Sequence, residues 1–110
     1  EDAPAGPELV ERLALSLIKM GDEVRAVRWL EAVIKNYPEH AGTRKLLAER
    51  YLIAGKQEAA LAQFKASADI YPYSPALQSA LIALYKALGE SGLAEKHQRY
   101  LDILNYRDSG

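Results

Sequence analysis

Apolar residues recur along this chain at helical rather than strand spacing. The stretch "ELVERLALSLIKM" (8–20) sets Leu9, Leu13, Leu17 and Met20 at i, i+4, i+8 and i+11, a stripe down one side of a helix. Gly21 follows, and glycine ends a helix readily because it adopts the left-handed conformation at little steric cost. Asp22 can cap the next helix by accepting a backbone N–H, and Ala26, Leu30 and Val33 share one face of a helix over 23–36. Pro38 closes that helix, since proline disfavours helical geometry in the residue before it. The same plan returns as a helix over 41–54, Gly55, a helix over 57–70 and Pro72. Ser74-Pro75 then reads as a cap followed by proline at the first helical position, opening a helix over 75–88 that ends at Gly89. A last helix spans about 91–105, and no segment alternates as a strand would. The expected fold class is all-α.

The pattern is periodic on a larger scale. Gly21, Gly55 and Gly89 stand 34 residues apart, as do Ala26, Ala60 and Ala94, and Leu13, Leu47 and Leu81. Tyr51 pairs with Tyr85 and Pro38 with Pro72 at the same interval of 34. A fixed period of this length marks stacked supersecondary units, each too small to bury its own apolar face.

These columns resemble the tetratricopeptide repeat (TPR) family, whose unit is a helix–turn–helix of 34 residues. Unit two (41–74) matches best, through Leu47, Ala48, Tyr51, Gly55, Ala60, Phe64 and Pro72, with Ser67 at the third small position. Unit one (7–40) carries Leu13, Ala14, Ala26, Leu30, Val33 and Pro38, with Leu17 where tyrosine is common. Unit three (75–108) keeps Leu81, Tyr85, Gly89 and Ala94 but has Gln98 for phenylalanine and Tyr106 for proline. Residues 1–6 are left as a flexible linker and 109–110 as a tail.

The resemblance implies a right-handed superhelical α-solenoid of six antiparallel helices, with a concave wall that takes a partner segment. Carried over by position, the wall would comprise Glu11, Leu15, Ile18 and Lys19 from unit one, and Lys45, Glu49, Leu52 and Ile53 from unit two. Unit three would add Ser79, Ala83, Lys86 and Ala87, with Tyr73 near the connecting turn. Some members grip a partner's C-terminal carboxylate with Lys and Asn. Here those places hold Glu11, Leu15, Lys45, Glu49, Ala76 and Ala80, which do not form that clamp. At the far end Tyr100, Ile103, Leu104 and Tyr106 leave an apolar face: it docks against something, or the natural chain continues, or a monomer simply tolerates the exposure. Trp29, the one tryptophan, is expected to pack partly against its neighbours rather than anchor a partner.

Composition narrows the chemistry. The absence of cysteine excludes disulfides, thiolate metal sites and a cysteine nucleophile, and leaves cytoplasm and periplasm equally compatible. Charge is balanced, 14 Lys and Arg against 15 Asp and Glu, so no global field draws the chain to nucleic acid. Arg25 and Arg28, and Arg44, Lys45 and Arg50, each have acidic neighbours (Glu23, Glu31, Glu49) and read as solvated faces. No apolar run approaches the roughly 18 residues of a membrane span.

His40 and His97 sit in no metal-binding spacing and are expected as solvated surface imidazoles. Ser74 and Ser91 read as helix caps, and Gly89-Glu90-Ser91-Gly92 lacks the lysine of a phosphate loop. No catalytic, cofactor-binding or metal residue is therefore assigned, no cofactor is expected, and the chain is read as a non-enzyme. The opening "EDAPAGP", with no initiator Met, suggests the trimmed edge of a longer protein or a stretch behind a removed signal. The functional expectation is a protein–protein interaction module that binds a protein or peptide segment. Its alternatives are self-assembly into a homo-oligomer through the array ends, or a regulatory appendage of an enzyme.

Overall fold

The chain forms α1 (Pro7–Lys19), α2 (Glu23–Asn36), α3 (Ala41–Ile53), α4 (Gln57–Ile70), α5 (Pro75–Ala87) and α6 (Ser91–Ser109). A computed structural model describes residues 6–109, and those residues contain no strand. The first five helices follow the periodicity to within about a residue at either end. The last runs to Ser109 rather than 105, because Tyr106 occupies the column where Pro38 and Pro72 break the earlier units. Of the expected linker, residues 1–5 lie outside the described part, while Gly6 is the residue that opens α1. Of the expected tail, Ser109 ends α6 and Gly110 lies outside the described part.

The 34-residue ruler has a local cause. Gly21, Gly55 and Gly89 adopt φ of 87°, 80° and 79°, and each follows the last turn of a first helix. After α1 the Asp22 N–H donates to the Leu17 carbonyl at 2.8 Å and the Gly21 N–H to the Ile18 carbonyl at 3.0 Å. Lys56 and Gly55 repeat this on Tyr51 and Leu52 (2.8 and 3.0 Å), and Glu90 and Gly89 on Tyr85 and Lys86 (2.7 and 3.1 Å). These paired bonds are the Schellman closure, which satisfies the last helical carbonyls and turns the chain sharply.

The next helices are capped as expected at Asp22, which accepts from the Arg25 N–H, and at Ser74, which accepts from the Leu77 N–H. Ser91 is a correction. It is already helical, and the Glu90 carbonyl receives the first bond of α6, from the Ala94 N–H at 3.0 Å.

Each helix packs chiefly on its chain neighbours, α1 on α2 through to α5 on α6. The result is a helical solenoid measuring 45 × 30 × 23 Å. Its radius of gyration of 15.0 Å exceeds the about 13 Å of a compact domain this long. Two apolar clusters hold it together. Ala14, Leu17, Ala26, Leu30 and Leu47 form the first, and Ala48, Ala60, Phe64, Leu81, Tyr85 and Ala94 lie in the larger second. Helix α3 belongs to both, through the adjacent residues Leu47 and Ala48.

The α1 stripe is rotated from expectation. Val10, Ala14 and Leu17 are buried and Leu13 is half-buried, whereas Leu9 and Met20 are 41% and 78% exposed. Close approach of α2 requires a small side chain facing Ala26, so the row through Ala14 turns inward in place of the row of larger residues.

Candidate functional site

Side chains tie α1 to the start of α3, and the starts of α3 and α5 line a common depression. His40 caps α3, its Nδ1 accepting the Thr43 N–H at 3.2 Å. That acceptance places the proton on Nε2, which donates to the Glu8 carboxylate at 3.3 Å. The Thr43 hydroxyl donates to Glu11 Oε2 at 2.6 Å. Glu11 also comes within 3.1 Å of His40 Nδ1, an ion pair only for a doubly protonated ring that would give up the cap. Glu8 has its carboxyl held below the usual range, first by a backbone N–H at the helix start and then by His40.

Of the expected wall residues, Leu15, Lys19, Lys45, Glu49, Leu52, Ile53, Tyr73, Ser79, Ala83, Lys86 and Ala87 are exposed. Leu15 is 45% exposed, Leu52 38% and Ile53 69%, so aliphatic surface on α1 and α3 does face solvent. Two residues differ. Ile18 is half-buried against the first apolar cluster, and Glu11 is committed to Thr43. At the end face Leu104 is a correction: it is buried, 6% exposed, and belongs to the core. Ile103 and Tyr106 are exposed and Tyr100 is half-buried, because successive residues of a helix point about 100° apart and only one side of α6 meets α5. Trp29 packs partly on the first cluster, as expected.

Arg44 and Arg50 are turned to internal work. Arg50 forks onto Glu23 through Nε and Nη2 at 2.7 and 3.0 Å, joining unit one to unit two. Arg44 donates to the Pro38 carbonyl at 2.7 Å and to Gln63 at 2.9 Å. The Tyr51 hydroxyl donates to Glu31 at 2.6 Å, and burial followed by that carboxylate pushes its pKa up to about 12.

Both histidines correct the expectation of solvated imidazoles. His40 is a cap, and His97 stacks on Tyr85 with centroids 5.3 Å apart while its Nδ1 lies 2.7 Å from Gln78 Oε1. Burial and then the Lys96 charge lower the His97 pKa from the ordinary 6.5. The sign follows directly: the unfolded chain takes up this proton more readily than the folded one. The His97 contribution is therefore full above about pH 6.5 and lost as pH falls below it. In denaturation at about pH 8 and about pH 5, His97→Gln is expected to lose less stability on acidification than the parent. Equal losses would assign the acid sensitivity to other groups.

Periodicity alone missed a depression of about 390 Å³ between the start of α3 and the start of α5, lined by Ala41, Gly42, Lys45, Tyr71, Ser74 and Leu77. Its signal was present as the small residues Gly42 and Ser74, which stand where unit one has Glu8 and His40.

Solved structures of MamA share this fold. A MamA crystal structure superposes with a TM-score of 0.83 at 16% identity, covering 93% of this chain and 60% of that one. The MamA MSR-1 C2 structure gives 0.78 at 22% identity, covering 97% and 62%. A MamA mutant gives 0.77 at 22% identity, covering 94% and 76%. The chain thus spans about three-fifths of the first two and three-quarters of the third. No protein-family model matches the chain, and no curated protein sequence does either.

Proposed function

We propose that the chain is a non-catalytic interaction module that receives a segment of a partner protein on the wall formed by α1, α3 and α5. One observation carries the reading: Leu15 on α1 and Leu52 and Ile53 on α3 stand exposed on two helices linked by Glu8–His40 and Glu11–Thr43, with Lys19 and Lys45 exposed on the same helices. Isolated exposed aliphatics are ordinary, but a contiguous set rimmed by charge is the usual makeup of a contact surface. The stack needs no partner to order it, so little of the binding energy is lost to reorganisation. The commitment of Arg44 and Arg50 to partners within the chain favours a protein segment over a nucleic-acid phosphate track.

A photo-crosslinker at Ser79, followed by identification of the crosslinked peptide, would name the partner segment. Leu52→Glu places a charge in the proposed contact while leaving the core untouched. It is expected to weaken partner affinity by at least about 2 kcal/mol, as for a central contact residue, with the helical circular dichroism unchanged. Full affinity in that variant would remove the wall as the binding surface.

A second reading, self-association through the array end, draws on Ile103 and Tyr106, which are 56% and 79% exposed on α6. Light scattering at high concentration separates the two: a strict monomer argues against assembly through this end.

A further inference from the structure

The internal repeat allows one junction of the stack to be compared with the next. Residues 34 apart occupy equivalent places, so Glu8, Glu11, His40 and Thr43 at the first junction correspond to Gly42, Lys45, Ser74 and Leu77 at the second. The first junction is filled by two carboxylates, Glu8 bonded to the His40 imidazole and Glu11 to the Thr43 hydroxyl. At the second those groups are gone, and the equivalent residues line the depression of about 390 Å³. Gly42 offers no side chain to fill it, and a Cβ there would crowd Glu11 Oε2 at 3.3 Å and His40 Cε1 at 3.4 Å. The glycine thus spares the first junction.

Charge changes along with volume. The place of Glu11 is taken by Lys45, whose ammonium group is exposed, and the place of His40 by Ser74. Ser74 Oγ already accepts the Leu77 N–H at 3.3 Å, which leaves its hydroxyl proton to donate. Across the wall Lys19, Lys45 and Lys86 stand against Glu49 and the hydrogen-bonded Glu11, and of these charged residues only Lys45 lines the depression.

We propose that the depression between α3 and α5 is a subsite for a glutamate side chain of the bound partner segment, a proposal that rests on the wall being the binding surface. The carboxylate takes the part that Glu11 plays one junction earlier. It pairs with Lys45 and accepts from the Ser74 hydroxyl, while Ala41, Tyr71 and Leu77 cover its methylenes. The partner is accordingly an acidic segment with aliphatic residues beside the glutamate, complementary to Lys45 and to Leu52 and Ile53.

The test is an amide NMR titration of the whole chain with N-acetyl-glutamyl-leucine amide, its glutamine counterpart, and N-acetyl-leucine with a free C-terminal carboxylate. The glutamate probe is expected to move the amides of Gly42, Lys45, Ser74 and Leu77 in a saturable way. The glutamine probe should bind about 2–5-fold more weakly, the scale of an exposed ion pair. Lys45→Gln, an exposed change, should reduce the glutamate probe to the level of the glutamine one. Equal affinity of the two probes, no shifts at these amides, or tighter binding of the C-terminal carboxylate would each overturn the subsite. Leu52→Glu separates this from the wall reading. If Leu52→Glu abolishes partner binding while the glutamate and glutamine probes bind alike, the wall reading stands and the subsite alone falls. If partner affinity survives Leu52→Glu, the wall reading fails and the subsite falls with it.

Discussion

Leu47→Ala is expected to destabilise the fold by about 2–5 kcal/mol, the range for deleting a buried leucine side chain. Leu47 is 1% exposed and is the α3 contribution to the cluster formed by Ala14, Leu17, Ala26 and Leu30. In a solenoid each unit is held mainly by its neighbour, so this side chain is a large part of what couples unit one to the rest. Ala48, the next residue, faces the other cluster and is unaffected. The loss should therefore be uneven. Trp29 lies half-buried on the first cluster and reports on it alone, whereas circular dichroism reports on all the helices. In urea, the Trp29 fluorescence transition of Leu47→Ala should move ahead of the helical one, while the parent shows closer agreement. A variant that loses stability with the two probes still coincident would show that the stack unfolds as one unit. An unchanged midpoint would remove Leu47 from the junction.

The architecture was legible because its signals are local. Gly21, Gly55 and Gly89 mark positive-φ turns that few other residues enter cheaply, and Pro38 and Pro72 mark unit ends, so turns could be counted without any tertiary information. What was harder to read depends on rotation about a helix axis or on atoms far away in sequence. Leu9 and Met20 fit a helical stripe as well as Val10 and Ala14 do, and only the approach of α2 at Ala26 decides between them. Leu104 and Ile103 are both aliphatic and adjacent, yet one is core and the other exposed.

Polar partners were least legible of all. Glu11 meets Thr43 across 32 residues, and His97 meets Gln78 across 19. Glu11 and Thr43 are replaced by Lys45 and Leu77 one unit on. Gln78 and His97 instead repeat the bonded columns of Arg44 and Gln63 with other side chains, so the repeat leaves the identity of its polar residues to each junction. That freedom is also what lets two equivalent junctions diverge, one filled by carboxylates and the other open beside a lysine. The difference in candidate chemistry arises from substitutions that leave the stack unaltered.

Ala60→Leu tests the same packing from the opposite direction. Ala60 is fully buried in the first turn of α4 and belongs to the cluster with Ala48, Phe64 and Tyr85. Its matching residues, Ala26 and Ala94, are 0% and 2% exposed, so all three units put a methyl group at the point where their paired helices approach. A leucine there has three more carbons and no unfilled volume to take them. Either α4 moves away from α3 or neighbouring side chains leave their favoured rotamers, at a cost of about 1–3 kcal/mol. Unit two sits between the others, so displacing α4 also disturbs the seat of α5. Thermal unfolding should show a lower midpoint. Amide exchange should rise in both α3 and α5, the two helices that flank α4, more than in α1. A midpoint equal to the parent's would mean that the site yields to a larger side chain, and that close approach of paired helices is not what selects alanine in this column.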